Sequence, residues 1–151
     1  MSLTSRLKQI ERDNVHVAYR PPQTYTTAVG AYTLWSVADG AIEGLNIIAR
    51  VSAAAVGAET VRITANTINV DAGAVAINGA VGTIVYSSMN VAGTLINAAA
   101  APRTVATLTT MIIGTQPAGP GLIVATFAVG TSWTGEWYLV YRKLSPNCRV
   151  Y

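Results

Sequence analysis

The amino-acid sequence predicts an all-β protein, with a β-sandwich or jelly-roll-like domain of about eight to ten short strands. From Gly30 onward, short runs rich in Val, Ile, Thr and Tyr follow one another, and such runs are typical of strands. Gly, Asn, Asp or Pro separates successive runs, as tight turns require. The 151 residues are enough for one domain with its own core. We therefore expect a sandwich domain over residues 29–151, preceded by an N-terminal arm over residues 1–28.

The arm differs from the rest of the chain in composition. Leu3, Leu7 and Ile10 recur at helical spacing behind Ser2, so a short amphipathic helix is expected over about residues 3–13. The segment "YRPPQTYTT" follows, and its two prolines favour an extended backbone. The arm is thus predicted as a short helix followed by an extended segment.

Ten segments of the domain are predicted as strands. The stretch from residue 60 to 85 carries a loose alternation of Val and Ile with Gly, Ala and Asn, which fits either adjacent hairpins or β-helix-like rungs. In the last segment, alternation puts Trp137, Leu139 and Tyr141 on one face and Glu136, Tyr138, Val140 and Arg142 on the other. The predicted strands are "AYTLWSVA", "IEGLNIIARVSA", "ETVRITA", "TINVD", "AVAIN", "GTIVYSS", "GTLINA", "RTVATLTTMII", "GLIVATFAV" and "GEWYLVYRKL".

The composition predicts a homo-oligomer. Charged residues make up 11% of the chain and hydrophobic residues 51%, whereas an ordinary soluble domain has about 25% charged residues. Faces that neighbouring subunits bury do not need charges. Gly, Asn, Thr or Pro interrupts every uncharged stretch before it reaches the roughly 18 apolar residues of a membrane helix. The N-terminus lacks the features of a signal peptide, so we expect no membrane partner and synthesis in the cytosol.

Positive charge is concentrated at the two ends of the chain. Four cations and two carboxylates give +2 over residues 1–20, three cations give +3 over residues 142–151, and the span between them sums to −2. No cluster of four or more cations is present, so an acidic protein surface is favoured over nucleic acid as the partner. Solvated tails without a partner are the alternative.

The sequence holds no recognisable catalytic or cofactor-binding constellation. His16 is the single histidine and Cys148 the single cysteine, so one chain has no pair of histidines for a metal and no intrachain disulfide. No spacing selects a catalytic pair among the seven carboxylates, and Asp39 and Asp71 lie in predicted turns. Arg149 could lower the pKa of the Cys148 thiol, but a buried, inert thiol is the preferred interpretation. We expect no enzymatic activity, no cofactor and no metal.

The ending "PAGPGLIVATFAVGTSWTGEWYLVYRKLSPNCRVY", residues 117–151, resembles the C-terminal end of small virion proteins of tailed bacteriophages. The shared features are a Pro-Gly turn, an apolar strand, a Thr-Gly turn and an aromatic strand with a Tyr-x-x-Leu-type segment. The resemblance implies a trimeric β-sandwich decoration, or cement, protein on the surface of the assembled capsid.

On this interpretation, the protein binds the major capsid protein and stabilises the phage head. The expected capsid contacts of the arm are Arg6, Lys8, Arg12 and Arg20. The expected subunit interface comprises Trp137, Leu139, Tyr141 and Arg142; burial alone allows a dimer, and the trimer follows from the resemblance. The alternative is a tail or spike protein that binds a receptor or glycan through exposed Tyr25, Tyr32 or Trp133.

Overall fold

The computed structural model describes residues 14–57, 59–70, 75–77, 79–88, 96–97, 111–128 and 130–151. These residues form two antiparallel six-stranded sheets, which confirms the predicted all-β class. The strands, in chain order, are β1 (Val15–Thr26), β2 (Ala31–Ala38), β3 (Ala41–Val56), β4 (Thr60–Ala65), β5 (Ile68–Asn69), β6 (Val75–Ala76), β7 (Ile84–Ser88), β8 (Ile96–Asn97), β9 (Met111–Gly114), β10 (Gly121–Ala128), β11 (Ser132–Lys143) and β12 (Arg149–Val150).

The first sheet has the strand order β1-β11-β3-β7-β8. β9 also pairs with β3, along residues 41–44, and β7 pairs with the following residues 46–50 of β3. The second sheet has the order β12-β2-β10-β4-β5, and β6 pairs with β4 beside β5. β11 is therefore a central strand, flanked by β1 and β3, while β1 and β12 are edge strands.

The core lies between the inner faces of the two sheets. Residues alternate between buried and accessible along β10, as expected for a strand with one covered face. Aromatic rings fill one region of this core: the centroid of Tyr25 lies 4.9 Å from that of Phe127, and the centroid of Trp133 lies 5.5 Å from that of Trp137. Clustered aromatic rings bury a large apolar area, so this region anchors the packing of β1, β10 and β11.

Several predicted strands agree closely with the structure. β2 coincides with "AYTLWSVA", and β10 covers all but the last residue of "GLIVATFAV". β5 and β6 both pair with β4 in antiparallel fashion, and β7 lies in the other sheet. The described part of residues 60–85 is thus built of sandwich strands, not of β-helix rungs.

The predicted arm needs a correction. Residues 15–26 are extended, as the prolines predicted, but they form β1 and pair with β11 from Val15 opposite Arg142 to Thr26 opposite Ser132. The ladder shifts by one residue between Arg20 and Gln23, where Pro21 and Pro22 lack the N–H groups that regular pairing needs. The predicted helix over residues 3–13 lies outside the described residues. No helix among the described residues is long and apolar enough to cross a membrane.

Candidate functional site

The outer face of the first sheet is the most distinctive surface of the molecule. Strand register places Tyr19 beside Tyr138 and Tyr138 beside Ile48 across β1, β11 and β3. One row along, Val17 lies beside Val140. Cross-strand neighbours on one face of a sheet have their Cβ atoms about 5 Å apart. These five side chains therefore form one contiguous apolar and aromatic patch, which we call the tyrosine face.

Much of the tyrosine face is accessible in the single chain. Val17 is 61% exposed and Tyr19 51% exposed, and Ile84 on the neighbouring β7 is 44% exposed. Scattered exposed apolar side chains are ordinary, whereas a contiguous exposed apolar group is typical of an interaction surface. By contrast, the outer face of β10 and β4 in the second sheet carries no aromatic residue among the described residues; it mixes Thr60, Thr64 and Thr126 with Leu122, Val124, Ala128 and Arg62.

A carboxylate is held within the tyrosine face. Glu136 points outward from β11, yet it is only 3% exposed. The Tyr19 hydroxyl donates a hydrogen bond of 2.8 Å to Glu136 Oε2, and Arg50 Nε lies 2.5 Å from Oε1. The rings of Tyr19 and Tyr138 approach to a centroid distance of 5.0 Å. The charge of Glu136 is thus paired inside the face and covered by its neighbours.

These contacts fix the protonation states of the cluster. The hydrogen bond from Tyr19 lowers the pKa of Glu136, and Tyr138 and Arg50 act in the same direction against the opposing effect of burial. The same hydrogen bond raises the pKa of Tyr19, and burial raises the pKa of Tyr138. At neutral pH the cluster therefore consists of a carboxylate, a guanidinium and two neutral phenols.

A second ion pair lies at the end of the tyrosine face, where Arg142 Nη1 is 3.5 Å from Glu43 Oε2. The face therefore has two cations and two carboxylates, paired with each other. Tyr and Arg are the residue types that contribute most to protein–protein contacts. A neutral surface with two tyrosines and paired charges suits a protein partner better than a phosphate backbone, which needs unpaired cations.

The predicted subunit interface is only partly on this surface. Trp137, Leu139 and Tyr141 are 1%, 0% and 7% exposed within the single chain. They face the second sheet and belong to the core of their own subunit, which corrects their assignment as contact residues. Arg142 lies on the outer face and remains available there. The alternation along β11 was predicted correctly, but the sequence does not say which face the second sheet covers.

The predicted capsid contacts of the arm also change. Arg6, Lys8 and Arg12 lie outside the described residues. Arg20 belongs to β1 opposite Trp137, on the inner side of the sheet and half-buried, so it is not part of a free arm. This correction follows from the pairing of β1 with β11.

Two of the three aromatic residues predicted for glycan stacking, Tyr25 and Trp133, are core residues. Tyr25 is 1% exposed and Trp133 0% exposed, and half-buried Tyr32 packs against Tyr25 with their ring centroids 4.9 Å apart. A sugar ring cannot reach side chains that the core already covers, so glycan stacking on Tyr25 and Trp133 is corrected. Stacking on the half-buried Tyr32 stays a prediction.

No catalytic arrangement is found among the residues that the structure describes. His16 stacks on Tyr141 at a centroid distance of 5.4 Å, and burial raises the pKa of Cys148, so the thiol stays protonated. The described part of the chain holds no group of three or more His, Cys, Asp or Glu side chains that could bind a metal ion. Asp39 lies in the predicted turn after β2, where it pairs with Arg149 at 2.6 Å.

The side chains that pair with Glu136 were not predicted from the sequence. Alternation along β11 predicted that Glu136 faces away from Trp137, and this is confirmed. Tyr19 and Arg50 are 117 and 86 positions away in the chain, so only the register of β1, β11 and β3 brings them together. The signal for β1 was the run of alternating Val15, Val17 and Tyr19, which reads as a strand.

No protein-family model and no curated protein matches the chain. Among solved structures, a chain from the structure of infectious bursal disease virus Gx strain aligns over 91% of this chain and 39% of its own length, with 13% identity and a TM-score of 0.32. A chain from the Gt strain aligns over 89% of this chain and 43% of its own, with 15% identity and a TM-score of 0.25. The protein thus spans about two fifths of the length of these chains. Likenesses at these TM-scores do not establish a common fold, and no functional argument rests on them.

Proposed function

We propose that the protein is a structural virion protein, and specifically a decoration protein that binds the assembled head of a tailed bacteriophage and stabilises it. The tyrosine face is the observation that carries this proposal, because an accessible apolar and aromatic surface on one sheet suits a protein that works as part of an assembly of subunits. The resemblance of residues 117–151 to phage virion proteins supports the viral setting. An added protein that bridges neighbouring shell subunits stabilises the shell, because each bridge must break before the lattice opens.

The tyrosine face is proposed as the contact between copies of the chain. Its two ion pairs are internal, so a neighbouring subunit would cover it without leaving a charge unpaired. This contact accounts for the low charge content of the chain, and it replaces the buried residues of β11 as the interface. A closed trimer is the proposed assembly, in line with the resemblance.

Paired substitutions on the two outer faces test this assembly. Val17→Lys places a charge in the tyrosine face, whereas Thr126→Lys places the same charge on the exposed outer face of β10. We expect light scattering to show a trimer for the wild type and for Thr126→Lys, and smaller species for Val17→Lys with an unchanged circular dichroism spectrum. A wild-type protein that remains a 15.8 kDa monomer at micromolar concentration contradicts the oligomer.

Particle binding tests the function itself. Purified protein is mixed with virus particles from which its gene has been deleted, and bound copies are counted by quantitative mass spectrometry and located by immunogold labelling. Saturation over the whole head is expected. A few copies confined to the tail tip contradict decoration, and the absence of binding contradicts a virion role on the outside of the particle.

A further inference from the structure

The two sheets leave a groove open along one side of the sandwich. Edge strand β1 of the first sheet and edge strand β12 of the second sheet border it. A cleft of about 370 Å³ is lined by Arg20, Trp35 and Tyr151 among others. A second cleft of about 540 Å³, lined by Tyr141, Lys143 and Arg149 among others, shares Val150 and Tyr151 with the first. Together they form one groove: the first cleft borders β1, and the second borders the end of β11.

The groove is positively charged. Arg20, Lys143 and Arg149 line it, and among the described residues no Asp or Glu side chain does. Arg149 is paired with Asp39, with Nη2 2.6 Å from Oδ2. Within the described part of the chain, no ion pair engages Arg20 or Lys143. The groove therefore complements an acidic ligand.

The border of the groove is an unused strand edge. Within the described residues, the backbone of residues 15–20 pairs with β11 on one side only. A free edge presents N–H and C=O groups at which another strand can add. Pro21 and Pro22 end this edge, since they have no N–H to donate. The usable edge is therefore about six residues long, or about 20 Å at 3.3 Å per residue.

Arg20 and Lys143, which have no ion pair among the described residues, have a defined spacing along that edge. Lys143 belongs to β11, one strand behind the edge, and lies at the Asn14 end, where the Asn14 side-chain amide donates to its carbonyl oxygen at 3.2 Å. Arg20 lies at the other end, six positions further along β1. Both side chains point to the inner side of the sheet. In an added strand, residues an even number of positions apart have their side chains on the same face. Acidic residues six positions apart on such a strand would face both cations.

We propose that this groove binds an extended acidic segment of a partner protein, which adds to the free edge of β1 and directs acidic side chains at Arg20 and Lys143. The proposal rests on the proposed function, because the segment would belong to the shell that the protein decorates. The apolar side chains on the opposite face of the segment would extend the exposed row of Val15, Val17 and Tyr19. A nucleic acid satisfies the charges but cannot pair with the backbone of β1.

Two synthetic peptides of identical composition test the spacing. The first, EVTVTVE, has its Glu residues six positions apart and on one face when extended, and the second, EVTVTEV, has them five apart and on opposite faces. We expect the full-length protein to bind the first peptide at least about threefold more tightly, as the engagement of a second exposed ion pair predicts. Shifts of the backbone amide resonances of residues 15–20 would place the peptide on β1. Equal affinity for both peptides, or no binding up to millimolar concentration, overturns the proposal.

Two further comparisons separate charge from strand pairing. The single variants Arg20→Gln and Lys143→Gln are each expected to lose the preference for the first peptide, whereas Arg62→Gln, with the same change of net charge outside the groove, retains it. N-methylation of alternate residues of the first peptide keeps its charge but removes N–H donors, and we expect it to abolish binding to the wild type. Tight binding of the methylated peptide, or a preference for a DNA oligonucleotide that shifts the same amides, overturns the proposal without any variant.

The outcome is distinguishable from that of the proposed function. Particles that bind the protein while neither peptide does would contradict the groove and leave decoration standing. A protein that binds the first peptide at β1 but no particle would contradict decoration and leave the groove standing.

Discussion

The Tyr19 hydroxyl donates a hydrogen bond of 2.8 Å to Glu136 Oε2, and this bond joins β1 to the neighbouring central strand β11 on the outer face of the sheet. It is the largest of the effects that lower the pKa of Glu136. A carboxyl whose pKa is lower in the folded state than in the unfolded state stabilises the fold above its unfolded pKa, and this stabilisation is lost as the pH falls through the folded pKa.

Tyr19→Phe should therefore raise the pKa of Glu136 toward its ordinary value. The variant should also lose less stability than the wild type between pH 7 and pH 3, because less of its stability depends on the charged carboxylate. NMR titration of the Glu136 side-chain carboxyl and urea unfolding at the two pH values measure both effects. Tyr151→Phe, outside the cluster, is the control and should leave the Glu136 titration unchanged.

Glu59 should have the opposite effect on how the stability of the fold changes with pH. It is fully buried, neither of its carboxyl oxygens has a hydrogen-bond partner in the described part of the chain, and burial raises its pKa. A carboxyl with a raised folded pKa costs stability progressively as the pH rises above its unfolded pKa, because only the unfolded chain releases the proton. Glu59→Gln should therefore match the wild type near pH 4 and exceed it at pH 8 in urea unfolding. A variant less stable at pH 8 would show that the carboxylate has a stabilising role.

Gly135 leaves room for the ring of Trp133. A Cβ added at this position would overlap Cη2 and Cζ2 of the ring and stand 2.6 Å from the carbonyl oxygen of Arg50. Gly135→Ala should cost roughly 1–3 kcal/mol of unfolding free energy, as overpacked cores do. Trp133→Leu removes the ring, so Gly135→Ala should cost less in that background. Equal costs in the two backgrounds would show that the Trp133 ring does not set the restriction.

Trp137 should matter for folding and not for contact between subunits. It is 1% exposed within one chain, so Trp137→Ala should cost roughly 3–5 kcal/mol in unfolding free energy. The folded fraction of the variant should still assemble, in contrast to Val17→Lys. If the folded Trp137→Ala variant sediments as a monomer, Trp137 on β11 is needed for the contact between subunits, and this prediction is wrong.

Two truncations separate the first residues of the chain from β1. Removal of residues 1–20 takes away half of β1 and uncovers the edge of β11, so the melting temperature should fall. Removal of residues 1–13 leaves every described strand in place and should change the melting temperature little. If Arg6, Lys8 and Arg12 contact the capsid, this shorter truncation should bind particles less tightly; undiminished particle binding contradicts that role.

The sequence by itself determined the local structure of this protein. Alternation of apolar and polar residues, punctuated by turn residues, defined β2, β10 and most of β11, because a strand with one buried face has a period of two residues. The same alternation correctly separated Trp137 from Glu136 along β11. These are short-range properties of the chain, and they do not depend on which strands become neighbours.

Tertiary structure alone decided what each face meets. Trp137, Leu139 and Tyr141 are apolar enough for a subunit interface or for a core, and only the position of the second sheet makes them core. Residues 15–26 read as an extended arm because prolines favour extension, but pairing with β11 makes them a strand. The Glu136 cluster and the cationic groove join residues more than 80 positions apart in the chain, and such contacts follow from strand order and register, which no local pattern in the sequence specifies.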